Sequence, residues 1–317
     1  MAEMKSGKIL REKLLVVGAG DIGRRVIRRL GRSADVTALT SSPDSRAALR
    51  SLGAQPVLAD LDQPFSLRKL PRACTALLHC APPPASGTRD RRTRNILRAL
   101  AGSAGTAHKR SSLTRGPQPI LVYLSTSGVY GDCGGARISE SHPLHPHNAR
   151  AVRRVDAERV LARAARRGAF RLIILRVPGI YSESRLPLER LRAGTPALAP
   201  EDDVYTNHIH AADLASIAMA ALYRLRRRVR PQVRIYHASD DSEMMMGDYF
   251  DLVADAYGLP RPPRLPRAQV AQAVSPALLS FMRESRRLDN TRLKRELHFE
   301  WHARSVADGL PASRKLA

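Results

Sequence analysis

Short apolar runs alternate with amphipathic stretches through the first half of the chain. Residues 14–17 are continuously apolar and stop at a glycine-rich turn. The following stretch places Val26, Ile27 and Leu30 on one face and arginines on the other. That pattern predicts a strand followed by a helix. The same reading predicts strands at 35–39, 55–58, 76–79 and 119–124 and helices at 46–52 and 93–101, the first of these ended by Gly53. The exit Ala81-Pro82-Pro83-Pro84 cannot extend a strand or open a helix smoothly. Residues 102–118 read as a polar, basic loop. The second half predicts helices at 149–166, 186–191, 211–222, 246–257 and 288–297, strands at 170–175 and 233–237, and a proline-rich loop at 259–266. Strand–helix alternation predicts an α/β fold, a Rossmann-type doubly wound parallel sheet. The expected division is a nucleotide-binding domain over 1–178 and a smaller substrate lobe over 179–317, partly interleaved with it.

Composition narrows the class. The chain has 317 residues, 43% hydrophobic and 26% charged, enough for a sizeable core. No run approaches the length of a membrane span. The first residues, MAEMKSGKILREK, lack the apolar core of a secretory signal. Three cysteines without metal-type spacing exclude a disulfide framework and point to a reducing, cytoplasmic setting; no metal site is expected. The net charge of +24 predicts attraction to polyanions at low salt. The basic residues are spread along the chain, aromatics are only 4%, and no nucleic-acid-binding motif occurs, so specific nucleic-acid recognition is not expected. The densest basic run, 224–230, reads as a solvated helix end and loop.

Gly18-Ala19-Gly20-Asp21-Ile22-Gly23 carries the first chemistry. It follows a strand and opens a helix, where the glycines allow a tight turn, close approach of a pyrophosphate and close helix–strand packing. The second strand ends in Thr40-Ser41-Ser42, with Arg46 beyond. An NAD site usually places a ribose-binding acid at such a strand tip. Hydroxyls and an arginine there favour NADP over NAD; the alternative is Asp44 serving NAD from the following loop. Asp60 after the third strand either caps the next turn or faces a ligand.

Leu124-Ser125-Thr126-Ser127-Gly128-Val129-Tyr130-Gly131, Arg176-Val177-Pro178-Gly179-Ile180-Tyr181 and Asn207-His208-Ile209-His210-Ala211-Ala212-Asp213 follow the glycine loop in that order. Together they resemble the extended short-chain dehydrogenase/reductase family, which includes NAD-dependent epimerases and dehydratases. The resemblance implies a nicotinamide dinucleotide, with Asp60, Leu61, Ala81 and Ser125 beside it and Thr126 holding a substrate oxygen. It is compatible with a homodimer. The family's Tyr-x-x-x-Lys dyad falls here on Arg150 and Arg154, four apart on one helix face. Arginine stays protonated and cannot be a general base. Arg154 could hold nicotinamide ribose hydroxyls, or form an exposed pair with Glu158. Arg150 could bind an anionic substrate group. Tyr181 and His210 are the candidate substitute acids, alongside Tyr205 and His208; the alternative for His210 is a buried histidine fixing the next helix through Asp213. Arg185 could face a substrate phosphate or solvent.

The leading expectation is therefore an atypical oxidoreductase or epimerase-like protein acting on a small hydroxyl or carbonyl substrate, anionic or a sugar nucleotide. Two rival readings remain. One is a dinucleotide sensor or scaffold that has lost catalysis, and the other a nucleic-acid-associated basic protein.

Overall fold

The computed structural model describes residues 12–71, 74–102, 118–224 and 232–311. The expected polar loop, apart from its ends, most of the basic run at 224–230, and the first eleven residues lie outside these.

Seven strands form one sheet: β1 (Glu12–Val17), β2 (Ala34–Thr40), β3 (Gln55–Leu58), β4 (Ala76–His79), β5 (Ile120–Thr126), β6 (Arg171–Val177) and β7 (Val233–His237). Their order is β7-β6-β5-β4-β1-β2-β3, and every pairing is parallel. This is the predicted doubly wound α/β architecture. Its strands are apolar on both faces because helices cover both. Leu14 and Val16 point into one core, packed by α1 (Asp21–Leu30) and α5 (Ala211–Arg224). Leu15 and Val17 point into the other, with Ile96 of α3 (Arg91–Gly102) and Leu161 of α4 (Ala149–Arg166). Each fully buried Leu or Val contributes about 1.5–3 kcal/mol, so this two-sided burial sets the register of the central strands. Between β2 and β3 runs a short helix, α2 (Ser45–Ser51).

A third apolar cluster gathers Tyr181, Leu191, Leu198, Tyr249, Phe250, Val253, Val270, Met282 and Val306. Its main helix is α6 (Met246–Ala256). Two elements differ from expectation. Arg287–Leu288 pairs in parallel with Arg137–Ile138, so the last basic helix begins only at Thr291. Residues 259–266 are not wholly loop, because Arg264–Leu265 pairs with Ala197–Leu198. Two-residue pairings carry no period to read, which is why both escaped the sequence pattern.

Candidate active site

The strand order reverses between β1 and β4, and the crevice outside their carboxyl ends is where open α/β sheets take ligands. A cavity of about 280 Å³ opens there. Its walls include the glycine loop, Cys80, Thr126, Arg150, Arg154 and Arg185. A larger hollow of about 490 Å³ lies at the other end of the sheet, around Lys13, Asp35 and Gln55. It sits at the amino ends of the strands, away from the switch point, and gathers no comparable chemistry.

The glycine loop has the geometry its spacing predicts. Gly18 adopts φ +87°, and a Cβ there would lie 2.5 Å from the Ala81 backbone nitrogen. A Cβ on Gly23 would lie 2.9 Å from the Gly18 carbonyl oxygen, so this glycine allows the loop and helix to touch. Gly20 has nothing within 4 Å of its Cβ position, leaving open space at the amino end of α1. Ala81 is thus brought against Gly18.

The opposite wall comes from β5 and α4. Thr126 ends β5 and its Oγ1 accepts from the Gly128 N–H at 3.3 Å. Its own hydroxyl hydrogen is given to no described group, so it can be donated to a ligand. Ser125 differs: its hydroxyl donates to Glu158. Asn148 caps α4 by accepting from the Ala151 N–H at 2.8 Å. That cap sets the phase of the helix and places both Arg150 and Arg154 on the crevice.

Arg154 is buried, with 5% of its surface exposed. Its Nη1 donates to the Tyr123 hydroxyl at 2.8 Å and to the Ala81 carbonyl at 3.3 Å, while Nε has no partner. The expected alternative, an exposed pair with Glu158, does not form, because Glu158 is taken by Arg176 at 2.9 Å. Arg150 stands exposed at the mouth and makes no hydrogen bond or ion pair among the described residues. Partial burial and repulsion from Arg154 and Arg153 lower its pKa. Burial pushes the Cys80 thiol up to about 12, so it stays protonated. His79, behind Arg154, is pushed down to about 3 by burial and by Arg154. It is therefore neutral, with Nε2 3.0 Å from the Thr93 hydroxyl.

Tyr181 and His210 are not brought to the crevice. They lie on adjacent short strands, Gly179–Tyr181 and His208–His210, paired in parallel with Tyr181 opposite His210. Tyr181 donates its hydroxyl to the Ser305 carbonyl at 3.0 Å inside the third apolar cluster. His210 stacks on His302, and its Nδ1 accepts from the Ala212 N–H at 3.2 Å. It does fix the start of α5, but not through Asp213, which accepts from the backbone N–H groups of His302 and Ala303. His208 is likewise buried, stacked on Tyr249, and Tyr205 is held elsewhere by the Arg287 guanidinium over its ring.

The tips of β2 and β3 flank the glycine loop, joined to it by the Ala19 N–H donating to the Leu39 carbonyl. Ser41 and Arg46 are exposed there, and Ser42 is half-buried. One residue missed in the sequence joins them. Arg24 donates from Nε to the Ala19 carbonyl at 3.1 Å and from Nη2 to Ser45 Oγ at 2.9 Å. Its signal was its place directly after Gly23. Asp60 accepts from the Asp62 N–H at 2.9 Å, so it does cap the next turn. Leu61 is buried, and its carbonyl accepts from Asn95 Nδ2.

This arrangement agrees with a sequence match to the NAD dependent epimerase/dehydratase family over residues 14–236. The chain belongs to that family. Relatives of this epimerase/dehydratase-family chain include the 4-hydroxy-2-methyl-3-oxo-4-farnesyl-3,4-dihydroquinoline-1-oxide ketoreductase of Stigmatella aurantiaca. It is 23% identical over 251 residues, 76% of this chain and 72% of that one. A functionally unknown conserved protein from Silicibacter pomeroyi is similar in structure, with a TM-score of 0.72 and 27% identity over 94% of this chain and 96% of that one. The UDP-glucuronic acid 4-epimerase of Bacillus cereus, solved in complex with NAD, has a TM-score of 0.69 and 18% identity over 95% and 97% of the two chains. Among the described residues no helix is long and apolar enough to cross a membrane, and no cluster of metal-binding side chains occurs.

Proposed function

We propose that this chain binds a nicotinamide dinucleotide along the carboxyl ends of β1, β2 and β4 and interconverts a hydroxyl and a carbonyl on a small anionic substrate. The observation that carries this reading is Arg154, a buried guanidinium without a carboxylate partner among the described residues that lines the cavity together with the glycine loop. A buried cation without a counter-charge is costly unless an acceptor reaches it, and ribose hydroxyls on a bound dinucleotide would supply one. The open space at Gly20 is consistent with the same ligand.

When bound, the cofactor supplies hydride transfer at C4 of its nicotinamide. The protein's part is placement and charge. Thr126 donates its free hydroxyl hydrogen to the reacting oxygen. Arg150 faces the same space and binds the substrate's anionic group or the developing oxyanion. Among the described residues no tyrosine, lysine or histidine lines the cavity, so the proton is exchanged with water. Arg150 and Thr126 stabilise the charge on the reacting oxygen in both directions of the reaction, since a catalyst acts on the forward and reverse steps alike.

Arg24, Ser41, Ser42, Ser45 and Arg46 support a preference for NADP, since they would surround a 2′-phosphate, whereas the next carboxylate along the chain, Asp44, stands exposed at the start of α2 beyond the strand end. Titration with NADPH and NADH, followed by nicotinamide fluorescence at low and near-physiological salt, tests both points. Salt-tolerant micromolar binding of NADPH over NADH is expected. Failure of both to bind would overturn the reading. NADPH bound but never oxidised across a panel of oxo-acids and sugar nucleotides would favour the rival reading, a sensor or scaffold that has lost catalysis.

A further inference from the structure

Asp21 is the first residue of α1, inside the glycine loop, and its carboxylate stands beside the open space at Gly20. An acid at a helix amino end is favourable by itself. Here it also stands where an incoming diphosphate would be repelled by it. Two arginines compensate. Arg25 binds Oδ1 at 2.7 Å from one turn along the same helix. Arg185 brings its Nε to 3.2 Å from Oδ2, an ion-pair contact without hydrogen-bond geometry, and it comes from a distant segment, the helical turn Glu183–Arg185. That turn follows the strand Gly179–Tyr181, whose Tyr181 is rooted in the third apolar cluster. The pair therefore crosses the mouth of the cavity and ties the C-terminal part of the chain to the glycine loop.

The tie is weakly held. Arg185 and Asp21 side chains are 40% and 28% exposed, and their single contact is longer than the Arg25–Asp21 contact. Exposed pairs of this kind contribute little. A diphosphate carries more charge than one carboxylate and offers bidentate acceptors to a guanidinium. Arg185 lines the same cavity as Gly18, Gly20 and Gly23, so exchanging one for the other keeps it at that wall.

We propose that Arg185 is a phosphate-responsive strap: the diphosphate of an entering dinucleotide takes its guanidinium from Asp21 and thereby draws residues 179–192 over the cofactor. The strap rests on the dinucleotide reading above. It makes substrate binding follow cofactor binding, because residues 178, 180 and 185 form one wall of the cavity.

The test uses the full chain, NADPH as the probe, and hydrogen exchange of peptides covering residues 179–192. In the wild type, NADPH is expected to slow exchange in that segment. Arg185→Gln should weaken NADPH about tenfold and abolish the slowing, while Arg185→Lys should recover part of both. Asp21→Asn removes the competing carboxylate and should bind NADPH about threefold or more tighter with the slowing retained. If wild type binds NADPH but Arg185→Gln binds it equally well and shows the same slowing, the strap is wrong and the dinucleotide reading stands. If wild type binds neither nicotinamide form, both fall.

Discussion

Two buried arginines in this molecule have opposite surroundings. Arg176 on β6 is 3% exposed and Arg154 on α4 is 5% exposed. Arg176 meets the Glu158 carboxylate through Nη2 and Nε, and its Nη1 donates to the Tyr130 hydroxyl at 2.6 Å and the Glu140 carbonyl at 3.0 Å. Tyr130 in turn meets His237 Nε2 at 2.6 Å, and His237 Nδ1 meets the Asp289 carbonyl at 2.9 Å. The Glu158 charge holds the Arg176 pKa up despite burial. Arg154 has only a tyrosine hydroxyl and one carbonyl, one unpartnered nitrogen, and no carboxylate within ion-pair distance among the described residues. A buried charge whose donors are all used serves the fold. One left incomplete beside a cavity costs stability until a ligand completes it.

The sharpest way to break this contrast is to remove each arginine. Arg176→Met leaves Glu158 buried without its cation, and we expect a loss of about 3–5 kcal/mol in denaturant unfolding. A loss under about 1 kcal/mol would show that the network is no structural keystone. Arg154→Met should change stability by no more than about 1 kcal/mol, in either direction, because it removes an incompletely paired charge.

Asp240 sharpens the comparison from a different place. It is 4% exposed, its Oδ2 has no partner, and it lies away from the crevice. Burial, with smaller contributions from Asp241 and Asp213, raises its pKa to about 7. A raised acid pKa means that the folded state binds a proton the unfolded state has released. The stability this confers is complete below about pH 4 and is lost as pH rises to about 7. Asp240→Asn should therefore gain on the wild type by about 2–3 kcal/mol between pH 5 and pH 8. Equal differences at both pH values would reject the assignment. The neutral buried histidines His79, His208 and His237, each held down to about 3 by burial, act in the opposite sense. Their contribution is full above about pH 6.5 and drains away as the solution is acidified toward 3, so the wild type should unfold in acid despite Asp240.

Binding separates the two arginines further. Arg154→Met should weaken NADPH about tenfold, whereas a fold-only role predicts no change beyond stability. The smallest expected effect on the protein itself is Arg150→Gln. It should leave stability within about 0.5 kcal/mol and NADPH affinity near the wild-type value, yet raise KM for an anionic carbonyl substrate. An unchanged KM would remove Arg150 from the substrate site.

Much of this was legible along the chain. The strand runs, the glycine loop and the helix over 149–166 follow from apolar period and from glycine's freedom at φ +87°, both local properties. The missing dyad was equally visible, since residue types at positions 150 and 154 are given by the sequence. Tyr181 and His210 were misplaced because the side on which a three-residue strand shows its side chains depends on its partner. Leu288 was read as helical for a related reason: a two-residue pairing with Arg137–Ile138 overrides a weak local preference.

The sequence alone thus determined the fold class, the glycine loop and the absence of the Tyr-x-x-x-Lys dyad, because each rests on residue identity and on spacings within one element. Tertiary structure alone decided which charges meet. Arg176 and Glu158 lie 18 residues apart, while Asp21 and Arg185 come from different parts of the chain. Whether an arginine stabilises the fold or awaits a ligand depends on which carboxylates the packing brings within about 4 Å, and no period in the sequence encodes that distance.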